Sequence, residues 1–210
     1  PTKIAKYSTT GQLLWTFNCI MSLFSWNTGS YKGISNFIVD KNTNKIYTGE
    51  AFNSSGTKTI RLKNDGVYDN FISNVVPGFL ECWEFQFNCN NGDIIVMGGS
   101  TSSNLTMGTV DKTNGNTNTS CVTTYTTFQQ DVVGSAIDNK GELYVLLSSY
   151  AGSRTATPEV HNKIFKCNST LNGNVWSRWS GYDDFKEADN KLDSGSNISN
   201  GFNCLSANAS

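Results

Sequence analysis

Short apolar runs alternate along this chain with polar turns rich in Asn, Asp, Gly, Ser and Thr. Cys82–Phe87 sets Trp83, Phe85 and Phe87 against Glu84 and Gln86, the period of a strand with one buried face. Ile94–Gly98 is apolar throughout, as suits a strand buried on both faces. Val, Ile, Thr and aromatic residues fill the other runs, so the pattern predicts strands along nearly all of the chain. The predicted hairpins pair Ile4–Tyr7 with Leu13–Phe17, Phe37–Val39 with Ile46–Gly49 and Thr59–Leu62 with Val67–Tyr68. Further strands are predicted at Met107–Val110, Cys121–Thr127, Val132–Ile137, Leu143–Leu147, Lys163–Lys166 and Val175–Trp179. Asn18–Ser30 reads as a loop or an outer strand, Ser148–Val160 reads as a loop, and only Phe185–Leu192 hints at a helical turn.

The turns repeat. Asp40-Lys-Asn-Thr-Asn-Lys-Ile-Tyr47, Cys89-Asn-Asn-Gly-Asp-Ile-Ile-Val96 and Asp138-Asn-Lys-Gly-Glu-Leu-Tyr-Val145 are variants of one phrase, spaced 49 residues apart at each step. A second hairpin phrase lies between them, with glycines at Gly11, Gly66, Gly115 and Gly173. Two alternating hairpins make a four-stranded unit, and propeller blades take roughly 40–50 residues. The expected fold is therefore all-β, a β-propeller of four-stranded antiparallel blades. The units are 1–49, 50–99, 100–147 and 148–210, the last incomplete. About three and a half blades fall short of the usual closure. The chain reads as part of a single propeller domain of a longer protein; the alternative is a small open array.

Composition narrows the functional classes. Charged residues make up only 16% of the 210 and the net charge is −1, which leaves no basic footprint for nucleic acid or anionic membrane. No apolar run is long enough for a membrane-spanning helix. The six cysteines show no CxxC spacing and the single histidine is His161, so a zinc site is not expected. Both disulfides and buried thiols remain open for those cysteines.

Candidate chemistry is sparse. Asp40, Asn42 and Asn44 place oxygen donors at alternate positions, like the start of a calcium loop. The sixth-position glycine and the distant glutamate of the helix–loop–helix calcium motif are missing, and an Asx turn explains the same residues. His161 sits in a predicted loop without a nucleophile elbow, so no triad is expected. Glu50, Glu81, Glu84, Asp131 and Glu142 are candidate acids for glycoside cleavage, although sequence alone cannot pair them. Trp26 and Trp179 are candidate sugar-stacking residues, whereas Trp15 and Trp176 occupy equivalent repeat positions and read as packing residues. The six Asn-x-Ser/Thr sequons are about what an Asn-, Ser- and Thr-rich chain gives by chance.

Three stretches carry a resemblance. Lys6-Tyr-Ser-Thr-Thr-Gly-Gln-Leu-Leu-Trp15, Gln130-Asp-Val-Val-Gly-Ser-Ala-Ile-Asp-Asn-Lys-Gly-Glu-Leu-Tyr144 and Phe185-Lys-Glu-Ala-Asp-Asn190 with Ser199-Asn-Gly-Phe-Asn-Cys204 resemble large secreted proteins of Bacteroidetes. Those proteins carry propeller-like repeats followed by gliding-motility-associated C-terminal domains. The resemblance implies a secreted cell-surface protein, a type IX secretion cargo, acting in adhesion, gliding or surface attachment. It brings no catalytic residues and no cofactor. The implied partners are a glycan or protein ligand on the loop face and outer-membrane secretion or motility components. Two other readings stand beside it: a propeller enzyme, quinoprotein-like or polysaccharide-active, and a structural subunit or cargo of an outer-membrane assembly.

Overall fold

The computed structural model describes residues 3–18, 33–53, 55–77, 79–88, 90–99, 104–124, 128–151, 159–168, 170–171 and 174–179. Every regular element among them is a strand. Strands β1 (Lys3–Tyr7) and β2 (Leu13–Asn18) form a hairpin. Three four-stranded antiparallel sheets follow, each a meander in chain order. The first holds β3 (Ile34–Val39), β4 (Ile46–Glu50), β5 (Thr59–Leu62) and β6 (Tyr68–Ile72). The second holds β7 (Glu81–Phe87), β8 (Ile94–Gly99), β9 (Asn104–Val110) and β10 (Thr117–Thr124). The third holds β11 (Phe128–Ile137), β12 (Leu143–Ala151), β13 (Glu159–Cys167) and β14 (Asn174–Trp179). Each sheet joins the second half of one sequence unit to the first half of the next. The stretch Phe185–Leu192 lies outside the described residues.

Two turn lengths build the hairpins. In the longer, the N–H of Asp40, Asn88 or Asp111 donates to the carbonyl five residues on, Lys45, Asp93 or Asn116, at 2.8–2.9 Å. The carbonyl of the same residue accepts from the residue four on, and that residue is left-handed: Asn44 (φ 56°), Gly92 (φ 74°) or Gly115 (φ 74°). The side chain that opens the turn then accepts from the N–H two residues on, at 2.9 Å for Asp40, 3.0 Å for Asn88 and 2.7 Å for Asp111. This is why Asn and Asp open these turns. The shorter turns run Ser8–Gln12, Lys63–Val67 and Asp138–Glu142.

This geometry corrects several sequence expectations. The second-sheet turn opens at Asn88, one residue before the Cys89 selected by the 49-residue spacing, because Asn88 makes both turn hydrogen bonds. In the β13–β14 turn Leu171 is left-handed (φ 57°), and Gly173 lies outside the described residues. The loop expected at Ser148–Val160 is shorter, since β12 and β13 stay in register as far as Ala151 and Glu159. His161 accordingly lies in β13, opposite Ser149, and not in a loop.

Three apolar clusters hold the sheets. Ile4 and Phe17 of the opening hairpin pack with Ile34, Ile46, Ile60 and Leu62 of the first sheet. Tyr47 and Phe71 of the first sheet pack with Cys82, Phe85, Ile94 and Val96 of the second. Ile95, Met97 and Met107 of the second pack with Leu143, Val145 and Cys167 of the third. Burying each such side chain contributes about 1.5–3 kcal/mol. The run Ile94–Gly98, expected to be buried on both faces, is so, since every residue of β8 is buried.

One polar cluster bridges the first two sheets. Arg61 Nε donates to Asp69 at 2.6 Å, and its Nη1 donates to the Lys112 carbonyl at 2.8 Å, across the sheet boundary. Its guanidinium lies 4.6 Å over the Phe71 ring. Burial pushes the Asp69 carboxyl up, but Lys45 and Arg61 together hold it below the usual range. Arg61→Ala removes these contacts and leaves Asp69 in a largely enclosed site. It is expected to cost about 2 kcal/mol, with Arg61→Lys recovering only part because an ammonium lacks the planar fork whose separate nitrogens reach the two acceptors. A urea-unfolding midpoint for each variant checks this ordering.

Candidate functional site

The first strands of the three sheets lie against one another, β3 against β7 and β7 against β11. Each carries a β-bulge near the same place: between Ile34 and Phe37, between Cys82 and Glu84, and between Val132 and Gly134. A bulge adds a residue, bends the strand and re-aims its side chains. At or just beyond each bulge, polar side chains approach one another across neighbouring first strands. The Asn36 side chain lies near enough to the Glu84 carboxyl to pull its pKa down, against burial. Gln86 Nε2 donates to Ser135 Oγ at 3.0 Å and to the Ser135 carbonyl at 3.1 Å. The β3 backbone is held in place from behind, where Thr48 Oγ1 donates to the Asn36 carbonyl at 2.7 Å. Asn36, Glu84, Gln86 and Ser135 thus form a polar row running across three sheets.

Burial pushes the Glu84 carboxyl up, against the Phe85 N–H and the Asn36 side chain, which act in the opposite direction. An acid whose folded value lies above its unfolded one stabilises the fold when protonated. The contribution is present below the ordinary value of 4.5 and is lost as pH rises through the higher folded value. Glu84→Gln is therefore expected to be more stable than the parent at neutral pH, with the difference shrinking toward pH 4.5. Unfolding midpoints at the two pH values test the sign.

Two buried groups lie beside the row. Cys82 is a free thiol pushed up to about 12 by burial and by the Glu84 and Glu50 charges, against a hydrogen bond with Ser35. It packs as a small apolar residue and is unsuited to act as a nucleophile near neutral pH. Glu50 is fully buried and organises the segment after β4. Its Oε2 accepts from the Lys58 N–H at 2.8 Å and its Oε1 from Asn53 Nδ2 at 3.0 Å. The same segment bonds the second sheet through Asn53 N–H to the Leu80 carbonyl at 2.8 Å and Cys82 N–H to the Ala51 carbonyl at 3.2 Å.

No family model matches the chain. Comparison with curated proteins finds no match either.

The other predicted site residues are placed apart from the row. Asp40 is buried in its turn, where it accepts from the Asn42 N–H at 2.9 Å and from Thr43 Oγ1 at 2.9 Å, with Lys112 Nζ at 3.6 Å. Burial pushes its carboxyl up, and those three partners outweigh it and hold it low. Asn42 and Asn44 enter through their backbone, the first as a donor and the second as the left-handed residue. The Lys112 ammonium stands where a cation would be drawn to Asp40. Among the described residues no group of three His, Cys, Asp or Glu is placed to hold a metal.

Of the candidate acids, Glu81 accepts from Trp83 Nε1 at 2.9 Å, and Glu142 pairs with Lys166 at 2.5 Å. Asp131 lies in β11 and Trp179 ends β14, with their side chains outside the described residues, as is the whole of Trp26. The Asn53 sequon is buried in the segment ordered by Glu50. Sequence reasoning picked Glu84 from this row and missed Asn36, Gln86 and Ser135. Part of their signal was present: Glu84 and Gln86 lie in a first strand whose sheet neighbour, β8, is wholly apolar.

Proposed function

We propose that this chain is a non-enzymatic binding module, its sheets set as blades of a β-propeller in a secreted cell-surface protein. The observation that carries the reading is the polar row Asn36–Glu84 and Gln86–Ser135, strung along adjacent first strands with bulges near matching places. In a radial arrangement those strands line the axis, and such a row offers donors and acceptors to a polyhydroxylated or peptide ligand there. The weakly charged, Asn- and Thr-rich composition suits recognition by neutral hydrogen bonding. Adhesion, gliding or surface attachment is the matching role, with a glycan or protein as partner. The resemblance to type IX secretion cargo supplies the export route.

The test is binding of the chain to immobilised glycans and to surface-protein extracts, repeated with Glu84→Gln and Gln86→Ala. Retained binding by the parent and a roughly tenfold weaker response from the variants, with neither variant melting below the parent, supports the reading. Binding that ignores both substitutions overturns the assignment of the row. Release of reducing ends from a polysaccharide, lost in Glu84→Gln, would move the protein to the polysaccharide-active class.

A further inference from the structure

Two of the longer turns carry the same dipeptide at the same place. Asn91-Gly92 lies in the β7–β8 turn and Asn114-Gly115 in the β9–β10 turn. In each, the asparagine Oδ1 accepts from the N–H two residues on, Asp93 at 2.9 Å and Asn116 at 2.8 Å. That bond folds the carboxamide over the Asn-Gly peptide it spans and polarises its carbonyl. The glycine N–H is tied in both turns as well, to the Asn88 carbonyl at 2.6 Å and to the Asp111 carbonyl at 2.8 Å. The turns differ at the side-chain nitrogen. Asn91 Nδ2 donates to Asp93 Oδ2 at 2.8 Å. Asn114 is exposed, and its Nδ2 has no hydrogen-bond partner among the described residues. Asn-Gly also occurs at Asn172 and Asn200, outside the described residues.

The residues that follow Asn114 fasten the second sheet to the first. Gly115 is buried, with the Ile72 carbonyl oxygen 3.0 Å and the Ser73 Cα 3.2 Å from where a Cβ would stand. Its carbonyl accepts from the Asn74 N–H at 3.0 Å. Asn116 Oδ1 accepts from Asn74 Nδ2 at 3.3 Å, and Thr117 Oγ1 donates to the Val75 carbonyl at 3.0 Å. The turn closes only if the Gly115 N–H reaches the Asp111 carbonyl while the Asp111 N–H reaches the Asn116 carbonyl. An added backbone atom between Asn114 and Gly115 breaks that match and draws residues 115–117 away from 73–75.

We infer that Asn114 is a site of spontaneous deamidation that unfastens this joint, and that Asn91 is protected from the same reaction by Asp93. The Gly115 nitrogen gives up its proton and bonds to Asn114 Cγ. The Cγ–Nδ2 bond breaks, and the nitrogen leaves as ammonia with that proton. Water then opens the succinimide at either carbonyl, giving aspartate or isoaspartate. In isoaspartate the chain runs through Cβ and Cγ, which supplies the added backbone atom. For ammonia to leave, Nδ2 must take up a proton and release its acceptor, so at Asn91 the charged bond to Asp93 has to break first. That slows the reaction roughly tenfold, the factor given by ~1.4 kcal/mol of barrier. The inference rests on turn chemistry and not on the ligand reading, so either can fail alone.

The test holds the 210-residue protein at mildly alkaline pH, which raises the share of the attacking amide anion, and follows each asparagine by peptide mapping with enzymatic isoaspartyl methylation. Asn114 is expected to convert roughly tenfold faster than Asn91. Asp93→Ala keeps the N–H of residue 93 and removes the carboxylate, so Asn91 should then approach the rate of Asn114. Protein carrying isoaspartate in place of Asn114 should melt roughly 3 °C below the parent and exchange its Asn74 amide faster. Asn114→Asp, with an ordinary backbone, should stay close to the parent. Equal rates at the two asparagines, or an Asn91 rate indifferent to Asp93→Ala, would overturn the protection by Asp93. No conversion at Asn114, or an isoaspartyl form that melts with the parent, would overturn the assignment of the site.

Discussion

Gly98→Ala should unfold or nearly unfold the second sheet. A Cβ at this position would lie 1.8 Å from the Glu81 carbonyl oxygen and 3.0 Å from the Phe79 ring. The obstacle is backbone, so no side-chain rotation relieves it. Gly98 sits opposite Cys82, next to the bulge that shapes β7. Accommodating a methyl group there means parting β7 from β8, which also disturbs the polar row. The expected loss is about 4 kcal/mol or more, on the order of 10 °C in melting temperature for a chain of this size. Gly49→Ala is the informative comparison. Its Cβ would meet the tip of the Phe85 side chain at 2.7 Å, which can give way, so about 1–3 kcal/mol is expected. Thermal unfolding of both variants should rank Gly98→Ala well below Gly49→Ala. Equal melting temperatures would mean that the β7–β8 approach is looser than described.

The second large effect is expected at Glu50. Its carboxylate is fully buried and accepts hydrogen bonds from the Lys58 N–H and Asn53 Nδ2. Glu50→Ala strands both donors out of water and leaves a void, for about 3–4 kcal/mol. Glu50→Gln keeps the shape and one acceptor and should cost roughly half of that. The consequence reaches beyond the first sheet, because residues 51–53 bond to Leu80 and Cys82 of the second. Amide hydrogen exchange is therefore expected to speed up at Asn53 and Cys82 in Glu50→Ala, while Ile95 and Val145, in the core between the second and third sheets, stay slow. Unchanged exchange at Cys82 would show that the segment does not couple the sheets.

The strands were legible because apolar alternation and Asx turns are local. Asp40, Asn88 and Asp111 each satisfy their turn with their own carbonyl, N–H and side-chain oxygen, and such chemistry needs no knowledge of the fold. Strand ends were less legible. β12 and β13 extend through Ser148, Ser149 and His161 because each strand pairs with the other, and pairing is a non-local property. The phase of the repeat was also hidden. Both hairpin phrases recur at nearly one period, so spacing alone does not say which two share a sheet.

The candidate site was the least legible part. Glu84 looked like any other acid of the chain, since its neighbour Asn36 is distant in sequence and comes from another sheet. The Asp40 run imitated a cation loop because the residues that favour an Asx turn also supply metal oxygens. What distinguishes the two is Lys112, brought in from the β9–β10 turn.

β3, β7 and β11 lie side by side with the polar row between them, and the proposed propeller reading rests on that arrangement. A crystal structure of the protein tests this most directly. The account predicts Asn36 beside Glu84 and hydrogen bonds from Gln86 to Ser135, with Phe85 enclosed by Tyr47 and Gly49 of the preceding sheet. Sheets packed face to face, with their first strands apart and Glu84 in open solvent, would contradict it.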